Sequence, residues 1–294
     1  MQTETISLKV FILAKAKDYA VLTKLRLSIL VVFSAAIGYL LALKTAFSWA
    51  DFSLLCLGGF LVTGASGALN QVLEKDLDKM MARTADRPLP TGRMSVTEAS
   101  LAAGIMSVSG IIILSTFNPL TAFLGAVSLL SYVFVYTPLK RISPIAVLVG
   151  AFPGALPTII GWAAVTGTLS FESLSLFAIQ FFWQFTHFWA IAWVAYESYA
   201  SADIYLLPTG KRDKSSAMQI LFYTFCLVLS GVFPYILGIS GLISAIVITI
   251  VALYNLWAAY RLYQERTPEA AKKLMFAALL YLPIVQIALV LDKV

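Results

Sequence analysis

Of 294 residues, 60% are hydrophobic and only 12% charged, which leaves too little polar surface for a soluble domain of this length and places the chain in a bilayer. The apolar stretches are as long as a helix needs to cross about 30 Å of hydrocarbon and lack the short alternation of barrel strands, so the expected fold is all-α and polytopic. The net charge of +6 calls for no nucleic-acid partner, because the placement of the basic residues in the membrane accounts for it.

In chain order, spans are expected near 28–45, 52–72, 97–117, 119–136, 145–166, 172–196, 218–238, 240–260 and 274–291. That makes about nine helices, with Asn118-Pro119 as the only break inside 97–136. Ahead of them, residues 1–27 form an N-terminal segment without the pattern of a cleaved signal. Within it, 8–22 alternates lysines with apolar residues at helical spacing, which suits a helix lying in the headgroup plane. The remainder, 28–294, reads as one transmembrane domain, and two long loops four helices apart hint at a pseudo-repeat, 28–144 and 145–294. Cys56 and Cys226 fall inside spans without motif spacing and read as small apolar fillers. Gly58, Gly59, Gly64 and Gly67 permit close helix contact, within the bundle or between copies.

Nine spans put all but two of the 21 Lys and Arg residues, Lys44 and Lys293, on one face of the membrane. The positive-inside rule then sets the N-terminus inside and the C-terminus outside, with the last basic loop covering Arg261 to Lys273.

The first long inside loop carries the chemistry. Asn70, Glu74 and Asp78 follow each other at i, i+4, i+8, which on a helix lines three oxygen donors along one stripe. Magnesium takes hard oxygen ligands and bridges a few carboxylates to substrate phosphates. Arg83 and Arg87 follow at another i, i+4 spacing and offer the forked donors that phosphate oxygens accept. A solvated, salt-bridged helix end is the alternative for the acidic residues, weakened by Asn70, which sits in an apolar run where a polar side chain is expensive. Asp76 faces elsewhere.

The single histidine, His187, lies mid-span in WQFTHFWA, and an ionisable group inside a bilayer is a functional candidate by default. The aromatics around it, Trp183, Phe185, Phe188, Trp189 and Trp193, fit either a pocket wall or a lipid-facing surface. Glu197 and Asp203 mark the second long loop, ESYASADIYLLPTGKR, but do not share a helix face unless the helix breaks between them.

The string NQVLEKDLDKMMARTADRPLP at 70–90 resembles the first signature of the UbiA-type intramembrane prenyltransferases, and its RTxxRPLP form is similar to the protoheme farnesyltransferase branch. The resemblance continues through TKLRL at 23–27, YTPLKR at 136–141, GALP at 154–157, GWAAVTG at 161–167 and WQFTHFWA at 183–190.

It implies a nine-helix bundle around a cavity open to lipid at one side, in the inner membrane of a prokaryote. It also implies transfer of the farnesyl group of farnesyl diphosphate to the 2-vinyl group of heme B, with water added, and a downstream heme-modifying enzyme as partner. Magnesium would sit on Asn70, Glu74 and Asp78, with Glu197 a further ligand. Arg83, Arg87, Lys140, Arg141 and Lys24 would neutralise the diphosphate, with Tyr136 donating its hydroxyl or serving only as an interfacial belt tyrosine. His187 would meet the heme, and Asp203 would line the substrate site.

The chain departs from the family pattern at Ser198, where an aspartate is usual, at Ala146 in place of an asparagine, and at Thr186 in place of a proline. The nearest rival reading keeps the fold and changes the acceptor to an aromatic quinone precursor. A secondary transporter is the remote one, since the midplane offers chiefly His187 for coupling.

Overall fold

The computed structural model describes residues 8–294; the stretch 1–7 of the expected N-terminal segment lies outside them. Helix α1 (Leu8–Leu22) leads through a short turn into α2 (Leu25–Ala42). Next come α3 (Trp49–Leu73), the short α4 (Lys75–Met80), α5 (Val96–Ser115) and α6 (Pro119–Leu130), which runs on through a π-helical turn (Ser131–Tyr136) into α7 (Thr137–Leu139). The second half holds α8 (Ala146–Thr166), α9 (Phe171–Val194), the short α10 (Tyr196–Ala200), α11 (Lys214–Ser230), α12 (Phe233–Ile236), α13 (Leu242–Glu265) and α14 (Pro268–Leu291).

Eight of these segments are long and apolar enough to cross a membrane. Helix α9 equals them with 24 residues and packs lengthwise on α8, α11 and α14. Its lower hydropathy comes from Gln180, Gln184, His187 and its serines. The nine expected spans are therefore all helices, generally starting a few residues earlier than the apolar runs suggest, because capping side chains set the ends. Ser48, Ser95, Asn118, Ser170, Asp213 and Thr267 each accept a backbone N–H from the first turn that follows.

The last basic loop is a correction: α13 runs to Glu265 and α14 starts at Pro268, so only Arg266 and Thr267 lie between them. Thr267 caps and Pro268 takes the first helical position, where its missing N–H is no loss. Arg261, Lys272 and Lys273 thus extend from helices.

Helices α2 and α8 cross with backbones in contact. A Cβ on Gly161 would strike the Ala35 carbonyl and come within 2.7 Å of the Tyr39 nitrogen, and one on Gly38 would strike the Thr158 carbonyl. Small residues serve this purpose between helices in lipid. Gly58 meets Ile113 and Leu114, while Gly64 and Gly67 meet Thr23 and Lys24, so these three glycines pack within the bundle. Pro153 and Pro157 interrupt the α8 hydrogen-bond ladder, and the Pro153 carbonyl freed by Pro157 accepts from Ser128 Oγ at 3.4 Å.

A buried polar layer crosses the bundle at mid-depth. Gln286 of α14 donates to Ser34 of α2 (2.9 Å) and Gln180 of α9 (3.3 Å), while Gln180 and Gln184 donate to the Gly154 and Ala151 carbonyls of α8, both at 2.8 Å. The midplane is thus richer in polar groups than His187 alone, a correction to the sequence reading. The amides are matched to one another and to backbone, as hydrocarbon surroundings demand.

At one end the two long loops fold back as plugs. Leu89 and Met94 of the first pack against Leu22 and Ala103, and Ile204 and Leu207 of the second join a core with Trp193, Ile220 and Leu274. Helix α1 is tied to the first turn of α5 by Lys15–Glu98 (2.9 Å) and to the first loop by Asp18–Arg93 (3.0 Å), whereas Val10, Phe11, Ile12 and Leu13 are exposed.

Candidate functional site

The acidic stripe survives a change of helix. Helix α3 stops at Leu73 and Glu74 sits at the break with φ −101° and ψ 9°, yet Glu74 N–H still reaches Asn70 O (2.9 Å) and Asp78 N–H reaches Glu74 O (2.8 Å). The three side chains therefore stay on one face, and Asn70, Glu74 and Asp78 are 1%, 5% and 1% exposed. Asp76, between them, faces solvent.

Each buried acceptor meets a cation from elsewhere in the chain. Lys24 Nζ is 2.7 Å from Asn70 Oδ1, Lys140 Nζ is 2.6 Å from Glu74 Oε1, and Arg87 Nη1 is 2.7 Å and 2.9 Å from the two Asp78 oxygens. Lys24 is held in the left-handed region at φ 49°. Burial pushes its ammonium down to about 7, and the neighbouring Lys140 and Arg87 charges push the same way.

Tyrosines back two of these cations and the nearby Arg83. Lys24 lies 5.9 Å from the centre of the Tyr132 ring, Lys140 5.4 Å from that of Tyr136, and Arg83 5.6 Å from that of Tyr199. The Tyr136 ring lies against α8 at Gly150, where a Cβ would come within 2.6 Å of it. Asn70 Nδ2 donates to Thr137 Oγ1 at 3.2 Å. Tyr132, Thr137 and Tyr199 were not singled out in the sequence. Tyr132 lies within the π-helical turn and Thr137 closes it, a feature that an i, i+4 pattern does not reveal.

The other expected residues lie differently. Arg83 is exposed and bridges the two loops through Tyr199, and Arg141 is exposed on the turn after Lys140. The Glu197 side chain is 81% exposed and pairs with Arg212 at 3.1 Å. Arg212 in turn donates to the Trp193 and Val194 carbonyls, at 2.8 and 3.4 Å, capping the end of α9. Asp203 is exposed with φ 53°. Among the described residues, no hydrogen bond or ion pair joins Glu197 or Asp203 to the stripe, and no three His, Cys, Asp or Glu side chains cluster to hold a metal. The carboxylate of Glu197 instead serves the helix-capping arginine.

His187 stands on the face of α9 that carries Gln180 and Gln184, one to two turns nearer the loop-bearing end. Its ring stacks on Trp183 (4.9 Å, 11°), which is pinned by its indole N–H to the Ala278 carbonyl of α14 at 2.6 Å. The Nδ1 atom of His187 is buried without a protein partner. Phe185, Trp189 and Trp193 are core residues and Phe188 faces outward, so the aromatic cluster divides between wall and surface. Thr186 bonds Thr224 of α11 at 2.8 Å, and Ala146 is fully buried.

With this geometry in hand, a family model described as the UbiA prenyltransferase family matches residues 31–281. The chain belongs to that family. It is 47% identical over 281 residues to the protoheme IX farnesyltransferase of Christiangramia forsetii, covering 94% of this chain and 93% of that one. It is also 47% identical over 278 residues to the protein of that name from Cytophaga hutchinsonii, covering 94% and 97%. Its fold matches a solved structure of digeranylgeranylglyceryl phosphate synthase with a TM-score of 0.81 at 21% identity, over 95% of this chain and 98% of that one. A UbiA homologue from Archaeoglobus fulgidus bound to GPP and Mg2+ matches with a TM-score of 0.68 at 15% identity, over 92% and 99%. As a UbiA-type chain it is an integral, multi-pass membrane protein and a prenyltransferase.

Proposed function

We propose that the protein transfers the farnesyl group of farnesyl diphosphate to the 2-vinyl group of heme B, with addition of water, giving heme O and diphosphate. The observation that carries this reading is the buried row of Asn70, Glu74 and Asp78, each matched by a cation at the loop-capped end of an apolar bundle. The name borne by relatives 47% identical to the chain supports heme as the acceptor.

Magnesium fits the row. The donors are hard oxygens, two of them carboxylate, and a cation that bridges protein to substrate phosphates needs no cage of three acids. Asn70, Glu74 and Asp78 would hold it, and it would supply charge neutralisation at the diphosphate. Lys24, Arg87 and Lys140 are within one side chain of that row and can turn from their present partners to the phosphate oxygens, with Arg83 and the Tyr136 hydroxyl at the rim. The loops exclude water from the leaving group.

As the bond between C1 and the diphosphate oxygen breaks, its electrons leave with diphosphate and an allylic cation remains. The terminal carbon of the heme vinyl group attacks that cation, placing positive charge on the carbon next to the porphyrin ring. Water adds there and releases a proton, leaving a hydroxyl. The chain's part is to orient and stabilise, and no side chain acts as nucleophile. His187, with an unpartnered Nδ1, is placed to contact the heme as an iron ligand or through a propionate.

The basic end of the bundle faces the cytoplasm in this reading, with the N-terminus inside and the C-terminus outside a bacterial inner membrane. The two other basic residues, Lys44 and Lys293, lie at the opposite end, where Lys293 donates to the carbonyls of Leu40 and Leu43. The product would pass to a further heme-modifying enzyme.

The test is an assay of detergent-purified protein with heme B and farnesyl diphosphate, with magnesium or with chelator, followed by chromatography and mass. A magnesium-dependent hydroxyethylfarnesyl heme, lost in Glu74→Gln, is expected. Unmodified heme, with farnesyl transferred to an aromatic acid instead, would overturn the acceptor while leaving the family intact.

A further inference from the structure

Thr137 closes the π-helical turn and is 2% exposed. Its hydroxyl has two neighbours. The Tyr132 carbonyl, 2.9 Å away, already takes the Thr137 backbone N–H and can only accept. The single hydroxyl proton is therefore committed to that carbonyl, and the oxygen has only lone pairs left to offer. Whatever faces it at 3.2 Å must donate, which selects the NH2 end of the Asn70 amide.

The opposite end of the same amide is fixed separately. Lys24 Nζ, 2.7 Å from Oδ1, carries hydrogens and donates to it. Two neighbours from different parts of the chain thus agree on which way the amide points, an orientation that heavy-atom positions alone leave open. The π turn is what allows it. A regular helix would pair the Tyr132 carbonyl with the residue at i+4, whereas the wider turn brings it to Thr137.

We propose that Thr137 is a positioning residue. By holding Nδ2 it keeps Asn70 Oδ1 turned toward the place where cation and diphosphate meet. The inference rests on Asn70 being an oxygen donor to magnesium. Without the hydroxyl, once Lys24 turns to the phosphate nothing holds the amide, which can rotate and present hydrogens to the metal. Partners of this kind, one shell beyond the ligand, set metal affinity even though they never touch the ion.

The experiment is equilibrium binding of farnesyl diphosphate to the purified full-length protein across a magnesium titration, for the natural chain, Thr137→Val, Thr137→Ser and Asn70→Ala, with melting temperatures alongside. Thr137→Val is expected to raise the magnesium needed for half-saturation about 10- to 100-fold, and Thr137→Ser to restore it. Should the valine variant fail to fold, Thr137→Ala removes the same hydroxyl without demanding room for a methyl. A valine or alanine variant that melts earlier yet keeps the natural magnesium dependence, while Asn70→Ala shifts it, overturns the positioning role alone. If Asn70→Ala leaves the dependence unmoved as well, the assignment of Asn70 to the metal falls, and this inference with it.

Discussion

Replacing Lys140 by methionine should destabilise the protein more than replacing Lys140 and Glu74 together. The two side chains are 14% and 6% exposed with Nζ and Oε1 2.6 Å apart. At that separation the gross attraction is about 6 kcal/mol for an effective dielectric constant near 20, and desolvation offsets much of it. Breaking such a pair from one side leaves a buried carboxylate without a counter-charge, at a cost of about 3–5 kcal/mol. Lys140→Met keeps the apolar stem, so the loss is electrostatic. Adding Glu74→Gln removes the stranded charge and should return most of the stability. The measurement is a double-mutant cycle by unfolding in mixed micelles, with an expected coupling energy of about 2–3 kcal/mol. Magnesium supplies the missing positive charge, so it should raise the melting temperature of Lys140→Met and leave the double variant unmoved. A single variant as stable as the natural chain, or a double variant no better than the single, would refute the reasoning.

Three further outcomes follow from the packing. Gly150→Ala places a methyl 2.6 Å from the Tyr136 ring. The ring that backs Lys140 must move, and kcat/KM for farnesyl diphosphate should fall by about 10- to 100-fold with heme binding retained in a Soret titration. Gly161→Ala forces α2 and α8 apart at the Ala35 carbonyl and should cost more than about 3 kcal/mol, read as a lowered melting temperature and poor yield from membranes. Gln286→Leu removes the donor to Ser34 and Gln180 and should lower stability by about 1–2 kcal/mol without changing the magnesium dependence of diphosphate binding.

The site was legible in part because helical periodicity outlasts the kink at Glu74: both i+4 bonds cross it, so Asn70, Glu74 and Asp78 end on one face as their spacing predicts. The partners of these residues were not legible. Lys24 and Lys140 are remote in the chain from Asn70 and Glu74, and only the packing of α2, α3 and α7 decides which cation meets which acceptor. Tyr132 and Thr137 escaped because a π turn shifts the register, and Pro138 just after it reads in the sequence only as a helix end. The partner of Glu197 was not legible either. Glu197 sits in a loop with Asp203 and looks like half of a second acidic site, yet α9 ends beside it with bare carbonyls, and the arginine that caps them takes the carboxylate. The turn between α13 and α14 was present in the sequence as Thr267-Pro268, a cap followed by a first-position proline, and the surrounding charges drew attention away from it.

The pairing of the row with its own cations bears on how such a site can exist in a bilayer. Two carboxylates and an amide oxygen, all nearly inaccessible to water, could not stay charged or unbonded there alone. Arg87 and Lys140 balance Asp78 and Glu74 one for one, and Lys24 rests on the neutral Asn70 as formal surplus. A divalent cation arriving with a trianionic prenyl diphosphate brings one net negative charge, which favours and is matched by the protonated form of Lys24. Binding can then proceed by exchange of partners, carboxylates turning to the metal and cations to the phosphate. The same exchange explains why the cations come from the α1–α2 turn, the turn after α7 and the first loop instead of from α3 itself. Donors on separate elements can swing from acceptor to phosphate without disturbing the helix that holds the stripe.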